Sequence, residues 1–297
     1  MSVDKPRVSV LMTIYNAAPF LRESLDSLLA QTFLDWELIA VENGSTDESP
    51  LILASYTDPR IKVVALEKNI GRTPGLRHAF DQARSEYAAI LDADDVALPG
   101  RFARQVDFLD SHPDTVLVGT WAQQINEKSR VFNTWEPPVD PDALHECLGW
   151  IDPIVHSSAM FRLAAAVKAG GYPEAYVYSQ DFALILALAK RGRLGMIGEH
   201  LCKVRIFPGT MSCSSRYQME VVREGLLLMR HAGRILPLSK KAQCRNRCSV
   251  AKYEIRCGLA LYRRGDRLLG LKMILLAFVH APSLVWNNSF FRPRFYL

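Results

Sequence analysis

The chain has 297 residues, 49% of them hydrophobic, with 36 lysines and arginines against 31 aspartates and glutamates. That composition excludes a disordered or low-complexity protein, and the length suits one large domain or two modest ones. The net charge of +5 hides a split: residues 1–200 hold 18 basic and 27 acidic side chains, a net −9, whereas residues 201–297 hold 18 and 4, a net +14.

Residues 1–7 are polar and lack the apolar core of a signal peptide, so a cytoplasmic location is expected. The run 7–15 reads as a buried strand, and the spacing of Phe20, Leu21, Leu25, Leu28 and Leu29 predicts a helix after it. A second strand is expected over 36–41, closed by Asn43-Gly44-Ser45, with a helix from about Glu48 capped by Ser45-Thr46-Asp47. Strand 61–66, helix 71–83 and strand 87–91 follow, and the last runs directly into Asp92-Ala93-Asp94-Asp95. Such alternation implies a mainly parallel sheet covered on both faces, with ligands beyond the carboxyl ends of its strands. The pattern then loosens: a helix over 101–109, a strand over 115–121, a break at 137–141 and an apolar helix over 181–190. Beyond residue 216 only helices are expected, over 217–232, 239–262 and 266–279, the last two spaced as a hairpin. The apolar stretches 273–279 and 281–286 are shorter than the roughly 20 residues that span a bilayer. The six cysteines form no C-x-x-C pair, so reduced thiols are expected rather than a zinc site.

Asp92-Ala93-Asp94-Asp95 is the sharpest chemical feature. Carboxylates at the end of a strand can share a hard divalent cation with phosphate oxygens, although a cap or a solvated loop would also use such residues. About fifty residues earlier another strand ends in Val41-Glu42-Asn43-Gly44-Ser45-Thr46-Asp47, and Asn69-x-Gly71 stands between the two. In this order and spacing the pieces resemble the nucleotide-binding half of the family 2 inverting glycosyltransferases, whose pattern is V-D-D-G-S-T-D, N-x-G and L-D-x-D-D. The resemblance continues through His156-Ser157-Ser158, the loop Gly170-Gly171-Tyr172-Pro173-Glu174, Gln180-Asp181-Phe182-Ala183-Leu184, and Val204-Arg205-Ile206-Phe207 with Met211-Ser212, covering about residues 5–215.

The resemblance implies an α/β GT-A fold, a Rossmann-like mixed, mainly parallel sheet flanked by helices. The expected division is a catalytic domain over 1–215, with a nucleotide-binding half to about 100 and an acceptor half from 101, then a basic helical extension over 216–297. It further implies transfer of a sugar from a nucleotide diphosphate-sugar, expected to be a UDP-sugar, to a hydroxyl of a glycan or lipid-linked acceptor in surface polysaccharide synthesis. Glu42 then contacts the base with Asn43 beside it, Asp94 holds Mn2+ or Mg2+, and Asp92 meets the metal or the ribose. Arg72 and Arg77 hold phosphates or are solvated helix charges, and Arg205 meets the leaving diphosphate. Asp181 is the general base, unless it is only a first-turn acid of its helix. Gln180 stands where the family has glutamate and would touch the acceptor; His156 touches acceptor or diphosphate, or is structural. Phe207 replaces a family histidine. A sugar nucleotidyltransferase is the alternative enzyme, but residues 10–19 lack its glycine-rich basic loop. A degenerate glycan- or nucleotide-binding protein is the non-enzymatic alternative.

The basic positions of 240–272 are interleaved with leucines and isoleucines, and the tail 290–296 adds aromatic residues. This pattern is either a solvated amphipathic pair or an element that meets an anionic membrane surface at its inner face. No nucleic-acid partner is expected, because no binding motif accompanies the charge.

Overall fold

The computed structural model describes residues 5–207 and 218–281. Met211, Ser212 and the aromatic positions 290–296 lie outside the described residues. The chain divides into two compact units, residues 1–144 with 154–205, and residues 145–153 with 206–297.

The first unit begins with four parallel strands, β1 (Val8–Ile14), β2 (Trp36–Asn43), β3 (Ile61–Leu66) and β4 (Tyr87–Ile90), in the order β3-β2-β1-β4. All of β2 and β4 and nearly all of β1 are buried, as befits strands with helices over their faces, while the edge strand β3 exposes Lys62, Val63 and Ala65. The connecting helices are α1 (Ala18–Leu29), α2 (Ser49–Ala54) and α3 (Arg72–Gln82). α1 buries Leu21, Leu25 and Leu28, one face at helical spacing. These side chains pack with Met12, Trp36, Leu38, Tyr87 and Phe102 in one core.

The second half of this unit adds β5 (Val96–Ala97), α4 (Arg101–Ser111), β6 (Thr115–Ile125), β7 (Val131–Trp135), the start of α5 (Pro141–Cys147), whose last three residues belong to the second unit, then β8 (Met160–Arg162), α6 (Leu163–Ala169), α7 (Gln180–Ala189) and β9 (Arg193–Arg205). β8 lies antiparallel between β4 and β6, and β9 runs parallel to β6 with three register irregularities. The result is the mixed sheet β3-β2-β1-β4-β8-β6-β9-β5, with β7 paired to β6. Arg101 crosses beneath it with no exposed surface, donating to the carbonyls of Ile90 and Ala159 at 2.9 and 3.0 Å. Through Nη2 this buried guanidinium ties β4 to the turn before β8, while its Nη1 has no hydrogen-bond partner among the described residues.

The second unit contains α8 (Gln218–Ile235), α9 (Lys240–Arg263) and α10 (Arg267–His280). Ser239 caps α9 and Asp266 caps α10, each accepting from a backbone N–H three residues on. α9 and α10 form a hairpin that closes on two glycines: a Cβ on either Gly258 or Gly270 would lie 2.6 Å from the other's carbonyl oxygen. Asn246 of α9 donates to the carbonyls of Gly149 and Met229, and Ser249 donates to that of Trp150, so segment 145–153 is stitched into this unit. No helix among the described residues is long and apolar enough to cross a membrane.

Candidate active site

The strands of the first half run parallel, with Ile14 at the end of β1 beside Glu42 and Ile90 at the end of β4 beside Leu11, so their carboxyl ends point the same way. The turns that follow them therefore share one edge of the sheet. After β2, the buried Glu42 folds back on its own turn, where its Oε1 accepts from Ser45 N at 2.7 Å. Gly44 adopts φ +69°, and a Cβ there would lie 2.4 Å from the Lys68 carbonyl carbon. Only glycine combines that conformation with that approach. Asn43 Oδ1 accepts from Ile70 N at 3.0 Å and its Nδ2 donates to Gly71 O at 3.0 Å. The amide expected beside the base is instead engaged at both ends in holding the 69–71 turn.

That turn delivers Arg72. Gly71, at φ +96°, precedes α3, so Arg72 opens the helix and its guanidinium enters the site. Nη2 lies 2.6 Å from Asp92 Oδ2, and Nε donates to the Gln180 amide oxygen at 3.3 Å, with that amide turned to donate to Val177 O. His156 Nδ1 is 3.3 Å from the same Nη2 and 3.5 Å from Asp92 Oδ1, while its Nε2 is 2.9 Å from the Tyr172 hydroxyl. The Asp92 backbone is fixed as well, its N–H donating to Ser157 Oγ and its carbonyl accepting from Ser24. Gln180 is fully buried at the start of α7, with Asp181 beside it, half-buried. Asp181 Oδ1 accepts from Phe182 N at 2.8 Å.

Electrostatics bind the group together. Burial opposes the Arg72 cation, but Asp92, Asp181 and Asp94 around it raise its pKa above the ordinary arginine value. Burial likewise opposes charge on Asp92, yet Arg72 and His156 hold its carboxyl well below the usual range. Asp94 goes the other way: burial and the neighbouring Asp92 push it up to about 6. Asp95 is likewise raised, by burial and by Asp94 and Asp92. Tyr172 stays protonated because burial and nearby Asp181 and Asp92 disfavour its anion.

Two expected contacts are placed elsewhere. Arg77 lies five residues along α3, about 140° around the helix from Arg72. Its Nη1 donates to Tyr172 O at 3.0 Å and its Nε is 3.5 Å from Glu174, so it braces the Gly170–Glu174 loop instead of a phosphate. Arg205 has no exposed side-chain surface. Its Nε donates to Asp94 O, its Nη1 to Asn126 O and Ser129 Oγ, and its Nη2 to Glu23 at 2.6 Å, while its backbone N donates to Asp95 Oδ1. The Phe20 ring covers the guanidinium at 4.4 Å. With its nitrogens so engaged, this side chain shapes the Asp94-Asp95 turn rather than meeting a leaving diphosphate. The structure thus groups Asp92, Asp94, Arg72, His156, Gln180 and Asp181, and sets Asn43, Arg77 and Arg205 as braces behind them.

Tyr172, Ser157 and Glu23 had no assigned role in the sequence. A buried tyrosine needs a partner for its hydroxyl, which was a usable signal for Tyr172. Ser157 adjoins His156, but Glu23 is 182 residues from its partner Arg205 and carries no local signature.

Carboxylates such as those of Asp92 and Asp94 suit a hard cation such as Mn2+ or Mg2+ better than zinc, but among the described residues no group of three or more histidine, cysteine or acidic side chains is gathered to hold an ion. Asp94, a carboxyl whose ionisation is hindered by burial and a neighbouring carboxylate, is the group here that an adjacent cation would favour most.

The sequence model of Glycosyl transferase family 2 matches residues 9–170. An uncharacterized glycosyltransferase of Methanocaldococcus jannaschii is 33% identical over 69% of this chain and 72% of its own length. The amylovoran biosynthesis glycosyltransferase AmsE of Erwinia amylovora is 29% identical over 66% of this chain and 75% of its own. Among solved structures, the mannosyltransferase PcManGT of Pyrobaculum calidifontis, in complex with GDP-Man and Mn2+, superposes with a TM-score of 0.64. That likeness covers 97% of this chain and 83% of PcManGT at 20% identity.

Proposed function

Because the chain belongs to glycosyl transferase family 2 and has the GT-A fold, we propose that it moves a sugar from a nucleotide diphosphate-sugar to an acceptor hydroxyl with inversion. The observation that carries this reading is the placement of Asp181 against the Arg72–Asp92 pair, with Asp94 alongside, at the carboxyl ends of the strands.

Asp181 takes the proton from the acceptor hydroxyl as that oxygen attacks the anomeric carbon and the diphosphate departs with its bonding electrons. One carboxylate is enough, since inversion requires no sugar–enzyme intermediate. Arg72 keeps Asp92 ionised, and its Nη1, the guanidinium nitrogen with no partner among the described residues, is the donor left for a phosphate oxygen. His156 and Tyr172 hold the Asp92–Arg72 pair in place, and Gln180 fixes the remaining guanidinium edge while bordering the acceptor side. Glu42 lines the base end. Asp94, with Asp92, would hold Mn2+ or Mg2+, which supplies positive charge to the departing diphosphate. The Mn2+ in PcManGT supports that choice of cofactor.

A carboxylate at the base end suits the imide N–H of a UDP-sugar donor, and GDP-mannose is the competitor, since guanine offers a carboxylate a ring N–H as well and PcManGT is solved with GDP-Man. A glycan or lipid-linked acceptor in surface polysaccharide synthesis is supported by the name of AmsE. The exposed leucines of α10 beside arginines and lysines support attachment of the basic helical part to the anionic inner face of a membrane.

The test is Asp181→Ala, assayed by product identification and nucleoside diphosphate release with Mn2+, Mg2+ or chelator. Transfer falls about 100- to 10,000-fold while donor binding persists, and the chelated enzyme is inactive. Unchanged transfer removes Asp181 as the base; donor binding without any transfer by the wild type favours a binding protein.

A further inference from the structure

The second unit holds a cleft of about 480 Å³ that the catalytic residues do not use. Arg230, Arg234, Arg247 and His280 line it together with Val250 and Leu276. Behind it Glu254, with no exposed surface, accepts from Arg230 Nη2 at 2.5 Å and lies 2.9 Å from His280 Nδ1. One buried carboxylate therefore fixes two of the cationic groups, drawn from α8 and α10, by way of α9. With its Nδ1–H donating to Glu254, His280 serves the cleft as a brace for that carboxylate.

Arg234 and Arg247 are exposed, and neither is ion-paired among the described residues. Three guanidinium charges less the Glu254 carboxylate leave two positive charges on the cleft. That excess matches a phosphate monoester, which carries about −1.5 to −2 at pH 7, and the arginine fork matches its oxygens.

The cleft also has an apolar border. Leu276 shares α10 with Leu268, Leu271, Leu275 and Val279, which are 84%, 50%, 66% and 74% exposed. Their spacing of three, four and four residues sets them in one strip along the helix. A strip of this kind would be costly to leave in water and suits acyl chains.

We propose that this cleft binds the phosphomonoester headgroup of a membrane lipid, with the lipid's chains against the α10 strip. The proposal rests on the membrane reading above and deepens it: attachment by charge density alone needs no cleft, whereas a headgroup site selects the monoester.

The full chain is sedimented with phosphatidylcholine vesicles containing either phosphatidic acid or phosphatidylglycerol, matched in surface potential. The wild type prefers phosphatidic acid. Arg234→Ala with Arg247→Ala loses that preference and binds phosphatidic acid about thirty-fold more weakly, at roughly a factor of five per arginine. Arg263→Ala with Arg264→Ala, outside the cleft, weakens both lipids equally and keeps the preference. Both variants retain the wild-type melting temperature and donor turnover. Calorimetry with short-chain phosphatidic acid and with inorganic phosphate separates the sources. Equal affinity for the two overturns the lipid assignment. A wild type without preference, or a cleft variant that keeps it, overturns the headgroup site and leaves surface attachment standing. No binding to any anionic vesicle overturns both.

Discussion

Asp94 is a carboxyl with too few friends: Arg72 is taken up by Asp92, and the Arg205 guanidinium reaches only its backbone carbonyl. Burial and Asp92 push it up to about 6, above the 3.8 of an unhindered aspartate. In the metal-free protein the folded state thus binds a proton that the unfolded chain releases. The stabilisation this gives is complete below about pH 4 and is lost as pH rises through 6. Asp94→Asn is expected to flatten that decline in urea unfolding midpoints measured between pH 4 and 7. Neighbouring motif residues behave differently: Glu42, Asn43 and Asp47 each accept from backbone N–H groups of nearby turns. Asp47 at the start of α2 was legible in the sequence, but the bonding of Glu42 and Asn43 was not, because an amide or carboxylate that can reach a nucleotide can equally reach the next loop.

Elements with a clean period were legible. α1, α3 and the three terminal helices, and all four strands of the nucleotide half, fall where apolar spacing places them, within a few residues. β9 was not, although it has 13 residues. Glycines at 195 and 198 interrupt its alternation, since the Phe108 ring and Val139 occupy the space their Cβ atoms would need. β8 has only three residues, too few for a period. In the helical hairpin the same kind of close approach is a point of weakness. Gly258→Ala would put a methyl carbon 2.6 Å from the Gly270 carbonyl oxygen and is expected to destabilise the second unit by about 1–3 kcal/mol. Hydrogen exchange of α9 and α10 amides measures it, and protection equal to wild type would show that the hairpin yields without strain.

At the scale of the molecule, the charge split coincides with the division into two units near residue 205. The first unit is closed by a contact between its ends: Glu23 in α1 and Arg205 at the last residue of β9. Glu23→Gln leaves a wholly buried guanidinium with a weaker partner. The expected cost is about 1–2 kcal/mol in urea unfolding, moderated by the partial exposure of Glu23. Donor affinity is expected to weaken with it, because Arg205 also holds the Asp94-Asp95 turn.

The nine residues 145–153 carry a separate lesson. They lie in the middle of the catalytic stretch of sequence, yet their backbone is bonded by Asn246 and Ser249 and Trp150 lies under Arg245. A chimaera made by one crossover near residue 205 would unite a foreign helical part with a native 145–153 loop that no longer matches it. Exchange between relatives therefore requires two junctions, and the helical part and this loop are expected to be inherited as a pair.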